Sequence, residues 1–167
     1  MRIIIFGSTS ATGRLLIGQA LGFGHQVTAF AHEKKQLHDF SHPALVVAEG
    51  DVLHYDDVLQ SIKGQEIVMA ARLTGAHHIV QAMQKSGMQR LIGLAGFFIN
   101  SNERTIRSSN LLWTIVRPGA LTNGKITGRY RHGLVPRLII SRADVALFML
   151  MQITCNDYIH QSPCLSY

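Results

Sequence analysis

Apolar residues arrive along this chain in short runs, separated by stretches whose apolar positions recur at helical spacing. Residues 3–6, three isoleucines and a phenylalanine, form an unbroken run that reads as a strand buried on both faces of a parallel sheet. The turn Gly7-Ser8-Thr9-Ser10-Ala11-Thr12-Gly13 follows. Beyond it Leu15, Leu16, Ile17, Ala20 and Leu21 make a helical apolar face over residues 14–21. Further strands are predicted at 25–31, 45–48, 66–71, 90–95 and 112–116, and further helices at 55–62, 76–85 and 144–151. Asp56 and Asp57 open the first of these helices, where acids favour the positive end. Gly87 closes the second and Ser141 is a candidate cap for the third. Strands alternating with helices predict an α/β fold: a Rossmann-like, doubly wound parallel sheet with helices on both faces, one domain over residues 1–167. In such a sheet ligands sit beyond the C-terminal strand ends, at the switch point beside the first strand.

The junction at residues 7–13 carries the first candidate chemistry. A helix start leaves backbone N–H groups unpaired and carries roughly half a positive charge, so a strand, tight turn and helix in this order suit a diphosphate. Gly7 permits the sharp turn and Gly13 a close helix–sheet approach. The middle glycine of the usual pattern is replaced by Ser10, whose N–H and hydroxyl are expected to serve instead. The competing reading is an ordinary turn of small residues; the strand before it and the helix after it favour a ligand.

Composition narrows the class. With 47% hydrophobic and 16% charged residues the chain can bury a core and is not a disordered one. No apolar stretch approaches the ~20 residues that cross a bilayer, and no cleavable leader pattern is evident, so a cytoplasmic protein is expected. Cys155 and Cys164 stand in neither a redox nor a zinc spacing. His77 and His78 are adjacent, and so diverge around a helix instead of converging on a metal.

The net charge of +6 is uneven: Arg104, Arg107, Arg117, Lys125, Arg129, Arg131, Arg137 and Arg142 form a stretch without an acid. Such a stretch could face a nucleic acid, a phosphorylated cofactor or solvent. Trp113 and Tyr130 are too few for a stacking platform, so nucleic acid is not the expected partner.

Two connections are short. Only residues 99–111 join the fifth and sixth predicted strands, near the minimum of about a dozen for a parallel crossover, and few of them are apolar enough to seat a helix. Residues 72–75 alone join the fourth strand to its helix. Either the chain is pared down here or a stretch has been lost from it.

Trp113-Thr114-Ile115-Val116-Arg117-Pro118-Gly119, with Ile140-Ser141-Arg142-Ala143-Asp144-Val145-Ala146 downstream, resembles the atypical short-chain dehydrogenases/reductases. Within them the chain is similar to the NAD(P)H-binding group that includes biliverdin reductase B (flavin reductase) and NmrA-like proteins. The resemblance covers almost the whole length. It implies a diphosphate held at residues 7–13, with Thr9, Ser10, Ala11 and Thr12 as donors. Asp51 and Val52 would flank the adenine, and Ala70 and Ala71 the ribose and nicotinamide. Where NADPH-using relatives carry an arginine, this chain has His32, with Lys34 and Lys35 nearby. The second strand ends in Ala31 without an acid to bind ribose hydroxyls, which favours NADP while leaving NAD possible.

Departures from the family bear on the chemistry. Tyr55, Tyr130 and Tyr158 are followed four residues later by Leu59, Leu134 and Ser162, so the tyrosine–lysine acid dyad is missing. Gly96 and Ala120 stand where biliverdin reductase B relatives carry a serine and a histidine. No catalytic side chain is therefore assigned. Hydride transfer to a flat acceptor needs stacking and exclusion of water more than a positioned acid. The resemblance thus implies an NAD(P)H-dependent reductase of a flavin, quinone or similar planar acceptor, with Gly96, Phe97, Pro118 and Gly119 at the nicotinamide end. An NmrA-like nucleotide sensor without turnover is the alternative. Asp144 is expected to fix the last helix against Arg142 or backbone; Arg117 either faces a phosphate or pairs with an acid.

Overall fold

The computed structural model describes residues 1–96, 98–133 and 138–167; Phe97 and Arg137 of the expectations above lie outside the described residues. The chain begins β1 (Arg2–Phe6), α1 (Ala11–Gly22), β2 (Gln26–Ala31), β3 (Leu45–Glu49), α2 (Tyr55–Ile62), β4 (Ile67–Ala70), α3 (Ala76–Lys85) and β5 (Arg90–Leu94). It continues α4 (Ser101–Arg107), β6 (Leu112–Pro118), β7 (Ala120–Thr122), β8 (Arg131–Gly133), β9 (Ile139–Ser141), α5 (Arg142–Met151) and β10 (Cys164–Ser166). The main sheet runs β3-β2-β1-β4-β5-β6-β10-β8, all parallel except β8, and a separate parallel pair joins β7 to β9. The order 3-2-1-4-5-6 places the switch point at the C-terminal end of β1.

Strand β1 is the axis of the core. Alternation along the pleat sends Ile3 and Ile5 to one face and Ile4 and Phe6 to the other, all at most 1% exposed. Each such side chain contributes about 1.5–3 kcal/mol by leaving water. Ile3 and Ile5 meet Leu16 and Ile17 of α1 and Val145 and Met149 of α5. Ile4 and Phe6 lie in the opposite layer with Val58 and Ile62 of α2 and Ile79 and Met83 of α3. The strand's position is therefore fixed from both sides, and with it the turn that follows.

Three elements differ from what the pattern predicts. Helix α1 begins at Ala11 because Ser10 caps it: the Ser10 hydroxyl oxygen accepts from the Gly13 N–H at 3.0 Å. A helix does form in the short crossover. It buries only Ile106 and Glu103, and is held by charge instead of an apolar face. The Asn100 side chain caps it by accepting from the Glu103 N–H, and the fully buried Glu103 carboxylate takes both Arg107 and Arg117. The third difference is β10, which extends the sheet beyond β6 through pairs such as Cys164 with Arg117.

Asp144, fully buried at the start of α5, is a hub. Its carboxylate accepts from the Thr127 and Gly128 N–H groups and from the Thr127, Ser141 and Tyr167 hydroxyls. Burial works against the charge, but the Tyr167, Gly128 and Thr127 donors outweigh it and bring the carboxyl down to about 2. Arg142 is not its partner; that side chain donates to Asn123. No helix among the described residues is long and apolar enough to cross a membrane.

Candidate functional site

The site is built on the C-terminal edge of β1 to β5. Gly7 leaves β1 at φ +70°, a conformation that side chains with a Cβ rarely adopt. A Cβ there would also lie 2.9 Å from the Arg72 nitrogen. Gly13 is tighter still: its Cβ would stand 2.1 Å from the Gly7 carbonyl oxygen. The two glycines therefore allow α1 to start directly against the end of β1. Among the described residues, the N–H groups of Thr9, Ala11 and Thr12 have no hydrogen-bond acceptor. The Ser10 N–H donates to the Gly7 carbonyl and its hydroxyl oxygen caps the helix, which leaves the hydroxyl's own hydrogen for a ligand.

Two cavities flank this turn. The first, about 330 Å³, lies over β1, β2 and β3 and is lined by Gly7, Thr9, Phe30, Ala31, His32, Gln36, Asp51, Val52 and Arg72, among others. Asp51 is fixed there by a local turn: its carboxylate accepts from the Leu53 N–H, and its own N–H donates to Asp57. The only acid lining this cavity among the described residues is thus one already bonded within its own loop. Lys35 is paired with Glu33, and so does not add a free cation beside His32. The second cavity, about 320 Å³, lies over β4 and β5 and is lined by Ala71, Arg72, Leu73, Thr74, Leu94, Ala95, Gly96, Asn100 and Leu121.

Several expected residues fall together and others do not. Gly7, Thr9, His32, Asp51 and Val52 share the first cavity, and Ala71 and Gly96 the second. Ala11, Thr12 and Gly13 form the helix start beside them. Ala70 is buried inside the sheet and lines neither. Pro118 and Gly119 line neither as well. A Cβ at Gly119 would sit 1.8 Å from the Leu138 carbonyl oxygen, so this glycine allows two backbones to cross. Leu121 occupies the wall where they were expected.

Arg72 was not foreseen as a site residue. It sits in the short connection after β4, lines both cavities, and makes no ion pair or side-chain hydrogen bond among the described residues. Its nearness to Gly7 follows from the β1–β4 pairing, so only an early decision on strand order could have revealed it. Arg117, whose role was open, proves to pair with an acid: it donates to Glu103 and to the Gly96 carbonyl. The basic stretch 104–142 is correspondingly not one open patch, since Arg107 and Arg117 are taken by Glu103 and Arg142 by Asn123.

A switch-point turn closed by two close-packed glycines, with a cavity on either side and Thr9 lining the first, is the arrangement of a dinucleotide-binding protein. Residues 7–105 and 99–156 match the model of the NAD(P)H-binding family, and the chain belongs to that family. Among curated proteins it is 26% identical to the UPF0659 protein YMR090W of Saccharomyces cerevisiae, over 194 positions covering 90% of this chain and 86% of the relative. An alignment of 194 positions on a 167-residue chain places gaps in it, in keeping with its short connections. Two solved structures share the fold. One is the anaerobillin reductase ChuY of Escherichia coli O157:H7, with TM-score 0.87 and 16% identity, covering 99% of this chain and 97% of that one. The other is a wide-type short-chain dehydrogenase/reductase of Veillonella parvula in complex with NADP, with TM-score 0.82 and 16% identity, covering 99% and 94%.

Proposed function

We propose that this protein is an NAD(P)H-dependent reductase that prefers NADP and passes hydride to a flat, conjugated acceptor such as a flavin or a quinone. One observation carries the reading. Two cavities of similar size open along one sheet edge and share Arg72 and Thr74, next to Gly7, as a dinucleotide lying across the turn would require. The adenosine half fits the first cavity, beside His32, Asp51 and Val52. The diphosphate fits the crossing point, where the Thr9, Ala11 and Thr12 amides and the Arg72 guanidinium have no partner among the described residues. The nicotinamide fits the second cavity, beside Ala71 and Gly96. The cofactor supplies the hydride when bound; the protein's part is to hold it, to orient its ring and to exclude water.

The preference for NADP rests on charge. No acid stands at the end of β2, while His32 and Gln36 line the cavity there. The acceptor class rests on the second cavity's lining: among the described residues no tyrosine, serine or histidine lines it, and its polar side chains, Arg72, Thr74 and Asn100, are too weakly acidic to protonate a carbonyl oxygen, whereas a stacked ring system needs no such acid. The cytoplasm, which supplies NADPH and keeps thiols reduced, suits two unbridged cysteines.

The test is to follow NADPH oxidation by the purified protein with FMN, riboflavin and a soluble quinone. Acceptor-dependent turnover is expected with at least one. Saturable NADPH binding with no hydride loss to any of them would replace this reading with that of a nucleotide sensor.

A further inference from the structure

We propose that Arg117 is a positioning residue for the acceptor: by holding the Gly96 carbonyl while anchored on Glu103, it sets the outer wall of the second cavity. The inference rests on the reductase reading above and assigns a task to residues outside its cofactor contacts.

The described residues of this wall that line the cavity are Ala95, Gly96 and Asn100. Nothing lies within 4 Å of where a Cβ on Gly96 would stand. The Ala95 N–H donates to the Val116 carbonyl at the start of the stretch, and Asn100 caps α4 at its end. Between them Arg117 reaches across from β6: one guanidinium nitrogen donates to the Gly96 carbonyl and another to the Glu103 carboxylate.

The anchor of that clamp is buried. The Glu103 side chain is 1% exposed and that of Arg117 11%. Arg107 donates to the same Glu103 oxygen and also to Ser162, just before β10. A planar fork with fixed directions suits this duty, because it satisfies a carboxylate and a carbonyl at once; a lysine ammonium has no such geometry. Gly96 and Asn100 both line the cavity, so a shift of this stretch alters its shape directly. In a site whose polar side chains, Arg72, Thr74 and Asn100, are poor acids, rate depends on the distance and stacking of the two rings. A misplacement of about 1 Å can then cost about a hundredfold.

The experiment compares wild type with Arg117→Lys and Glu103→Gln by three readouts: thermal midpoint, affinity for 2′,5′-ADP, and KM and kcat for FMN with NADPH saturating. Arg117→Lys keeps the charge opposite Glu103 but loses the fork. It is expected to raise the FMN KM by about tenfold or more, while 2′,5′-ADP affinity stays within about twofold because the first cavity is untouched. Glu103→Gln removes the anchor and is expected to show the same split, which keeps the test open if either variant fails to fold. A folded variant with unchanged FMN kinetics overturns the proposal, as does parallel loss of acceptor and adenosine-half affinity, the mark of a merely structural residue. Absence of turnover in the wild type instead defeats the reductase reading itself, so the two failures are told apart.

Discussion

Replacing one glycine of helix α1 by alanine is expected to have opposite effects at two positions five residues apart. In an exposed helix interior the change gains about 1 kcal/mol, because glycine is the more costly residue to order. Gly18 meets that condition: it is exposed and nothing lies within 4 Å of its absent Cβ. Gly18→Ala should therefore raise Tm by ~2–4 °C, the shift that 1 kcal/mol gives in a protein of this size. At Gly13 the same methyl group would lie 2.1 Å from the Gly7 carbonyl oxygen and 2.9 Å from the Ser8 Cα. The 2.1 Å approach falls short of the ~3.5 Å of ordinary contact by more than 1 Å, and both neighbours are backbone that cannot rotate aside.

Helix α1 must then back away from β1, at an overpacking cost of about 1–3 kcal/mol or more. Set against the intrinsic gain, this leaves a net loss of ~2 kcal/mol at the upper end, or a Tm lower by ~4–8 °C. The same displacement moves the Ala11 and Thr12 amides, so NADPH affinity should fall by more than about tenfold, one factor of ten being ~1.4 kcal/mol. Thermal unfolding and equilibrium titration of both variants provide the check. A Gly13→Ala protein as stable as Gly18→Ala, or one that binds NADPH like the wild type, would refute the packing argument.

Arg72→Ala should weaken NADPH and NADH binding alike by about tenfold, the order of one charge-assisted contact, while leaving Tm nearly unchanged; a loss confined to NADPH would place the side chain at the 2′-phosphate instead. Asp144 makes stability depend on acid in a definite direction. Its folded value of about 2 lies below the ordinary 3.8, so the bound charge contributes ~2.5 kcal/mol above the unfolded value, lost progressively as pH falls from about 4 through 2. Asp144→Asn should accordingly cost at least that much at neutral pH, and the gap to wild type in denaturant unfolding should narrow steadily over that acid range. A gap that does not change with pH rejects the assignment. Gly119→Ala should destabilise without touching 2′,5′-ADP affinity, since its Cβ would strike the Leu138 carbonyl and not a cavity; calorimetric unfolding beside a binding titration separates the two.

The parts of this molecule legible in its sequence are those fixed by local pattern. β1 to β6 and α1 to α3 follow from apolar runs, helical spacing and glycine breaks, and Gly7 and Gly13 from their place between a strand and a helix. Helix α4 was hidden because its seating is ionic: a buried Glu103 with two arginines leaves no apolar stripe to read. Strands β7 to β10 were hidden because each has three residues and exists only through partners far along the chain, as Cys164 does beside Arg117. In the site, Thr9, His32, Asp51 and Val52, which share the first cavity, were named from the family resemblance. Arg72 could not be, since its value comes from standing between two cavities that only the paired strands create. Pro118 and Gly119 line neither cavity, and a proline–glycine pair ending a strand looks the same in sequence whether it faces a ligand or lets two backbones cross.

The central claim is that amides at the start of α1, with Arg72 beside them, hold the diphosphate of a nicotinamide dinucleotide. Isothermal titration of the intact protein with NADPH and NADH tests it most directly. One saturable site is predicted for each nucleotide, tighter for NADPH, with both weakened in Arg72→Ala. No saturable heat with either nucleotide, on protein whose cooperative unfolding shows it to be folded, would contradict the account.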